Sequence, residues 1–122
     1  MRRLLLILAC AGALCAPASM AAGVPVSKRC TGSVKVHSVL AGSIRVTKVS
    51  CTAGKAVIRN LLTRVGSSAA CRRAADRPAP TTGCVVSGYH CFRKRSPDYC
   101  ATTSGKVVQW RENHVLSGAP PR

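Results

Sequence analysis

Acidic side chains are scarce: Asp76, Asp98 and Glu112 are the only three in 122 residues, against 19 lysines and arginines. A paired-carboxylate hydrolase needs two acids of matched environment, and Asp76 sits in a stretch dominated by proline and arginine, so that chemistry is not expected. Aromatic residues are nearly as few, Tyr89, Phe92, Tyr99 and Trp110, which leaves a small core in need of other supports. No C-x-x-C pair occurs, and the closest cysteine spacings are the six residues between Cys84 and Cys91 and the eight between Cys91 and Cys100, so no metal site is expected. A serine nucleophile lacks its G-x-S-x-G elbow, and nothing in the chain asks for a cofactor. Long hydrophobic runs are missing too: Leu4 to Leu14 is the longest, too short to span a bilayer.

That short run has its own meaning. Met1, Arg2 and Arg3 precede it, and Pro17 and a small-residue stretch through Ala22 follow, the pattern of a signal peptide. Ser19 and Ala21 suit the −3 and −1 positions, so residues 1–21 are expected to be removed and the product exported, with no transmembrane segment left. Two of the eight cysteines go with the leader, and Cys30, Cys51, Cys71, Cys84, Cys91 and Cys100 remain. An even number of cysteines in an exported chain of this size reads as a disulfide framework. Each bridge is worth roughly 2 to 4 kcal/mol, comparable with a large part of a small domain's stability. Removing Arg2 and Arg3 leaves 17 cations against three acids, a net charge of +14. Such an excess attracts polyanions over a Debye length of about 8 Å.

The scaffold centres on Ser50 to Gly66, SCTAGKAVIRNLLTRVG. Ser50 is a good N-cap and Gly66 a good terminator. At 100° per residue, Gly54, Val57, Ile58, Leu61, Leu62 and Val65 share one arc while Lys55, Arg59, Asn60 and Thr63 share the other, so a helix over about 51–65 buries one face. Cys51 lies on the buried side, placed as a staple. Val34, Val36, Ser38 and Leu40 alternate as in a half-buried strand, Ala41 to Ser43 break it, and Ile44 to Val49 resume it. Residues 22–32 read as an irregular arm tied at Cys30, and Ser67 to Gly83 as a surface loop with Cys71 and Cys84 at its edges. Val85 to Phe92 is a strand, Arg93 to Pro97 a basic turn, and Tyr99 to Thr103 and Lys106 to Arg111 are strands around a tight turn at Ser104 and Gly105. Residues 117–122 form a loose tail. The expected fold is one α+β domain over 22–116, a small, mainly antiparallel sheet with one helix packed on a face. Among the bridges, Cys91 with Cys100 is favoured as a link between neighbouring strands, and Cys51 then pairs elsewhere in the sheet.

The strand into Val49, Ser50 and Cys51, the helix from Thr52 and Ala53 carrying Lys55, Val57 and Arg59, the run Gly88, Tyr89, His90, Cys91, and Cys100 before a Gly-turned terminal strand resemble a group of small, mostly uncharacterised exported proteins of high-GC Gram-positive bacteria. The likeness covers roughly Ile44 to Arg111. It implies export and a small cysteine-linked α+β fold, and it carries no functional residue.

Function is expected to be binding rather than catalysis. Tyr89, Phe92 and Tyr99 flank Arg93, Lys94 and Arg95, a mixture of ring faces and cations that suits an anionic polymer or acidic surface. Tyr89 and Phe92 have opposite strand parity, so only one of them faces solvent. Two alternatives stand beside this. A small cationic nuclease would draw acid and base from His37, His90 and His114, and an inhibitor or host-interaction module would present residues 71–84 to a protein partner. The molecule is expected to act as a monomer in the cell envelope or outside it.

Overall fold

The computed structural model describes residues 26–78 and 82–114; the leader and the C-terminal tail lie outside them. A helix α1 spans Cys51–Ser67, with the Ser50 hydroxyl accepting a hydrogen bond from the Ala53 amide at its start. Its buried residues are the six of the apolar arc, Gly54, Val57, Ile58, Leu61, Leu62 and Val65. Gly66 does not end it. The helix runs one residue further to a C-cap at Ser68, whose amide donates to the Arg64 carbonyl, and Gly66 lies inside the last turn, where a Cβ would make ordinary contact with the His37 ring at 3.7 Å.

Seven strands form an antiparallel sheet beside it: β1 Ser27–Arg29, β2 Val34–Val36, β3 Val39–Thr47, β4 Cys84–Val86, β5 Tyr89–Phe92, β6 Asp98–Ala101 and β7 Val107–His114. Their order is β1-β3-β7-β6-β5-β4, and β2 pairs with β3. The α+β class and the packing of α1 on the sheet are as expected. Four local readings change. Residues 41–43 do not break the second strand; they form a bulge, with a register shift between Gly42 and Arg45 and Ser43 at φ 52°, and the chain turns earlier, at His37 and Ser38. The 22–32 arm contains β1, a three-residue strand exposed throughout, which leaves no apolar alternation to read. Val85 to Phe92 is a hairpin rather than one strand, because Ser87 and Gly88 both take positive φ, 51° and 83°, as a two-residue turn of the primed type requires.

The fourth change is a second helix, α2 Ala69–Asp76, inside the expected loop. Ser68 ends α1 and caps α2, its hydroxyl accepting from the Cys71 amide. Alanine and arginine fill the next turns, both strong helix formers, and the prolines that suggested a loop come only after Asp76. Ala75 is fully buried, and its carbonyl accepts the Arg93 amide at 2.8 Å.

Both helices lie on one face of the sheet, over a core of Ile44, Val46, Ile58, Leu61, Val108 and Trp110. Close approach of α1 depends on Gly54, where a Cβ would stand 2.5 Å from Val46 Cγ1. Three disulfides, Cys30–Cys51, Cys71–Cys84 and Cys91–Cys100, divide the work: the first ties α1 to the end of β1, the second ties α2 to β4, and the third joins β5 to β6. Cys91 with Cys100 is the bridge expected between neighbouring strands. Three disulfides suit an oxidising, extracytoplasmic environment. Among the described residues no helix is long and apolar enough to cross a membrane.

Candidate anion-binding face

Strand parity separates the charged residues into two populations. On the helix side, Arg93 follows β5 into the interior and is only 6% exposed. Its guanidinium meets the Glu112 carboxylate side by side, Nε at 3.0 and 3.2 Å from the two oxygens and Nη2 at 3.0 Å from Oε2. Asp76, at the end of α2, places Oδ1 3.5 Å from Arg93 Nη1, and this buried oxygen has no hydrogen bond among the described residues. Asp98 is 4% exposed and accepts the Arg95 amide on Oδ1 at 2.8 Å. All three acids of the sequence therefore gather around one cation. Burial opposes the charge on Arg93, and the hydrogen bonds and charge of Glu112, with Asp76 and Asp98 behind, outweigh it and raise its pKa. Burial pushes the Asp98 carboxyl above the ordinary range, with Glu112 and Asp76 adding to the rise while the Arg95 amide and Arg93 oppose it.

The other face of the sheet carries no helix among the described residues. Register partners form a continuous row across it, Arg29, Arg45, Gln109, Tyr99 and Phe92, contributed by β1, β3, β7, β6 and β5. With neighbouring strands about 4.8 Å apart, the row spans about 19 Å. Beside it runs Ser27, Thr47, Val107, Ala101, His90 and Val85. Arg111 stands two residues beyond Gln109 on the same side of β7, and Arg29, Ser43, Arg45, Pro97, Gln109 and Arg111 line a hollow of about 390 Å³. None of these three guanidinium groups has an ion pair or hydrogen bond among the described residues, whereas every acid is engaged on the opposite face.

An arginine directly opposite an arginine across a ladder is unfavourable, by roughly 0.2 to 1 kcal/mol on the scale of such pairs. Arg29 and Arg45 accept that cost with no acid beside them among the described residues. Cross-strand neighbours also lie well inside a Debye length of about 8 Å, so the three cations act on an approaching anion together. A local rule broken in this way makes the face a candidate for binding an anion.

The six residues expected to form a basic and aromatic patch divide between the faces. Phe92 and Tyr99 stand together on the open face, ring centroids 5.0 Å apart, and Arg95 lies 5.6 Å over the Phe92 ring. Arg95 is also anchored, donating to the carbonyls of Arg93 and Arg77. Tyr89 is buried on the helix side, which leaves Phe92, half-buried, as the ring on the open face. Arg93 is internal, and Lys94 is exposed with its Nζ 3.8 Å from Asp76 Oδ2. Lys28 with Arg29 is legible in the sequence as a basic cluster, but in an expected loop rather than in β1; Arg45, Gln109 and Arg111 have no such signal beyond the parity of Arg45 between Ile44 and Val46.

His90 stands apart from the other two histidines, whereas His37 lies two residues before Val39, the register partner of His114. His90 lies on the open face with Nδ1 2.9 Å from the Thr82 carbonyl, His37 sits in the β2–β3 turn at φ 54°, and His114 ends β7. His90 shares a row with Val107, seven residues from His114, about 24 Å along the strand. Of residues 71–84, the first six belong to α2 and Cys84 to β4, and 79–81 lie outside the described residues.

Comparison of the chain with protein-family models, with curated proteins and with solved structures finds no match. Residue roles therefore rest on the geometry of the site itself.

Proposed function

We propose that this is an exported, monomeric, non-catalytic protein that binds an anionic polymer of the cell envelope or extracellular space through the helix-free face of its sheet. One observation carries the reading: Arg29, Arg45 and Arg111 line a single hollow on that face, unpaired among the described residues, while the three acids are held on the other side around Arg93. The disulfides and the signal pattern of the sequence support export. The separation of His90 from His114 gives no support to a nuclease that pairs those two histidines.

Retention of the oxidised protein on an immobilised polyanion, measured across a salt gradient, tests the proposal. Elution should move to lower salt in Arg45→Ala and Arg111→Ala and much less in Arg59→Ala, which removes the same charge from the exposed side of α1. Equal shifts in all three variants would mean that net charge alone drives binding. Retention that ignores salt, or none at all, refutes it.

A further inference from the structure

Resting on the polyanion-binding reading above, we infer that the ligand is a single-stranded nucleic acid, with phosphates in the arginine hollow and a base on the adjoining aromatic residues. A polymer that offered only negative charge would need only the cations. The face supplies more, in a fixed sequence along one row. Arg29 and Arg45, with Arg111 alongside, give way to the amide of Gln109 and then to the rings of Tyr99 and Phe92, each step one strand spacing of about 4.8 Å. A nucleotide carries a phosphate and, joined to it through the sugar, a base with polar edges and flat faces, which are the groups this row can meet.

The parts match chemically. Guanidinium groups suit phosphate oxygens because their N–H forks meet them two at a time. Gln109 offers both a donor and an acceptor to a base edge. Tyr99 and Phe92 are half-buried, so part of each ring remains at the surface, and Arg95 over Phe92 adds a cation beside the platform. Base stacking on such rings tolerates any sequence, because every base has a π-face. A duplex hides those faces within its stack and has use only for the arginines.

Fluorescence anisotropy with a labelled oligothymidylate, a base-free deoxyribose-phosphate strand of equal length, the corresponding duplex and a sulfated polysaccharide tests this on the oxidised chain. The oligothymidylate should bind about tenfold or more tightly than the base-free strand, the scale of one stacked base. Tyr99→Leu should weaken the oligothymidylate more than the base-free strand and so shrink that advantage. Arg45→Ala and Arg111→Ala should weaken both strands and each reduce the salt slope by about 0.7. Photocrosslinking of the unaltered protein to an iodouracil-containing strand, mapped by mass spectrometry, gives a readout independent of any variant and should label Tyr99 or Phe92. Equal binding of the two strands, tighter binding of the duplex or the polysaccharide, or crosslinks confined to the helix side overturns the nucleic-acid assignment while leaving polyanion binding in place. Failure of every polyanion to bind overturns both.

Discussion

Arg93 and Glu112 meet as a side-by-side guanidinium–carboxylate pair on the helix-facing side of the sheet, and Trp110 adds its indole N–H to Glu112 Oε1 at 3.3 Å. With Asp76 and Asp98 drawn to the same cation, the negative charge of the molecule is sequestered in one place. The open face is left to cations, so the structural use of the acids and the proposed use of the arginines are two sides of one arrangement.

Breaking that pair is expected to be costly. Glu112→Ala leaves a buried guanidinium without its hydrogen-bonded partner, with only the weaker attraction of Asp76 and Asp98, and the Trp110 N–H without its acceptor, and loss of one partner of a buried pair typically costs about 3–5 kcal/mol. Urea denaturation should show a lower midpoint with an unchanged slope, which identifies lost stability rather than a change in the unfolded state. An unchanged midpoint would show that the pair contributes nothing.

Asp98 gives the cluster a pH dependence of definite sign. Its pKa is raised in the folded state, first by burial, so the fold binds this proton more tightly than the unfolded chain does. Its stabilising contribution is therefore complete below the ordinary aspartate range and is lost as pH rises through the raised folded value. Asp98→Asn keeps an acceptor for the Arg95 amide and does not titrate. Thermal unfolding of the two proteins across the acidic range should show the wild type losing ground to the variant as pH rises through that window, with a constant difference above it. A wild type that gains ground over the same window contradicts the assignment.

Gly54→Ala tests the contact between α1 and β3. Alanine favours a helix by about 1 kcal/mol over glycine, yet here its Cβ would press on Val46 Cγ1, and overpacking typically costs about 1–3 kcal/mol. Sterics should win by about 1 kcal/mol, lowering the melting temperature by about 4–8 °C for a domain of this size. Adding Val46→Ala should relieve the clash, so the double variant should be less destabilised than the sum of the two singles.

What sequence reveals and conceals here follows from where each signal resides. The span of α1 is written in its apolar arc and in Ser50, and Cys91 with Cys100 follows from adjacent strands. β1 has no apolar alternation, since all three residues are exposed and their order comes from pairing with β3. α2 was masked by the prolines behind it, though Ser68 and the alanines were present to be read. The gathering of Asp76, Asp98 and Glu112 around Arg93 had no local trace, because these residues come from α2, β6, β7 and the end of β5. The arginine hollow is concealed for the same reason. Parity puts Arg45 on a face, but only topology sets Arg29 on one side of it and Gln109 and Arg111 on the other.

The Cys30–Cys51 bridge connects this scaffold to the proposed binding face without contributing charge. Cys30 follows Arg29 directly, and its amide donates to the Ile44 carbonyl next to Arg45, so the bridge to α1 fixes the short β1 strand against β3. The cross-strand repulsion between Arg29 and Arg45 pushes the same strand away. The double replacement Cys30→Ala with Cys51→Ala opens a loop of 21 residues in sequence separation and should cost about 3 kcal/mol. Repulsion should then move Arg29 out of the hollow. Retention on a polyanion should fall below that of the parent under conditions where circular dichroism still reports a folded variant, although the number of charges is the same. If the folded variant elutes with the parent, the position of Arg29 is immaterial and binding follows net charge rather than the arrangement of the hollow.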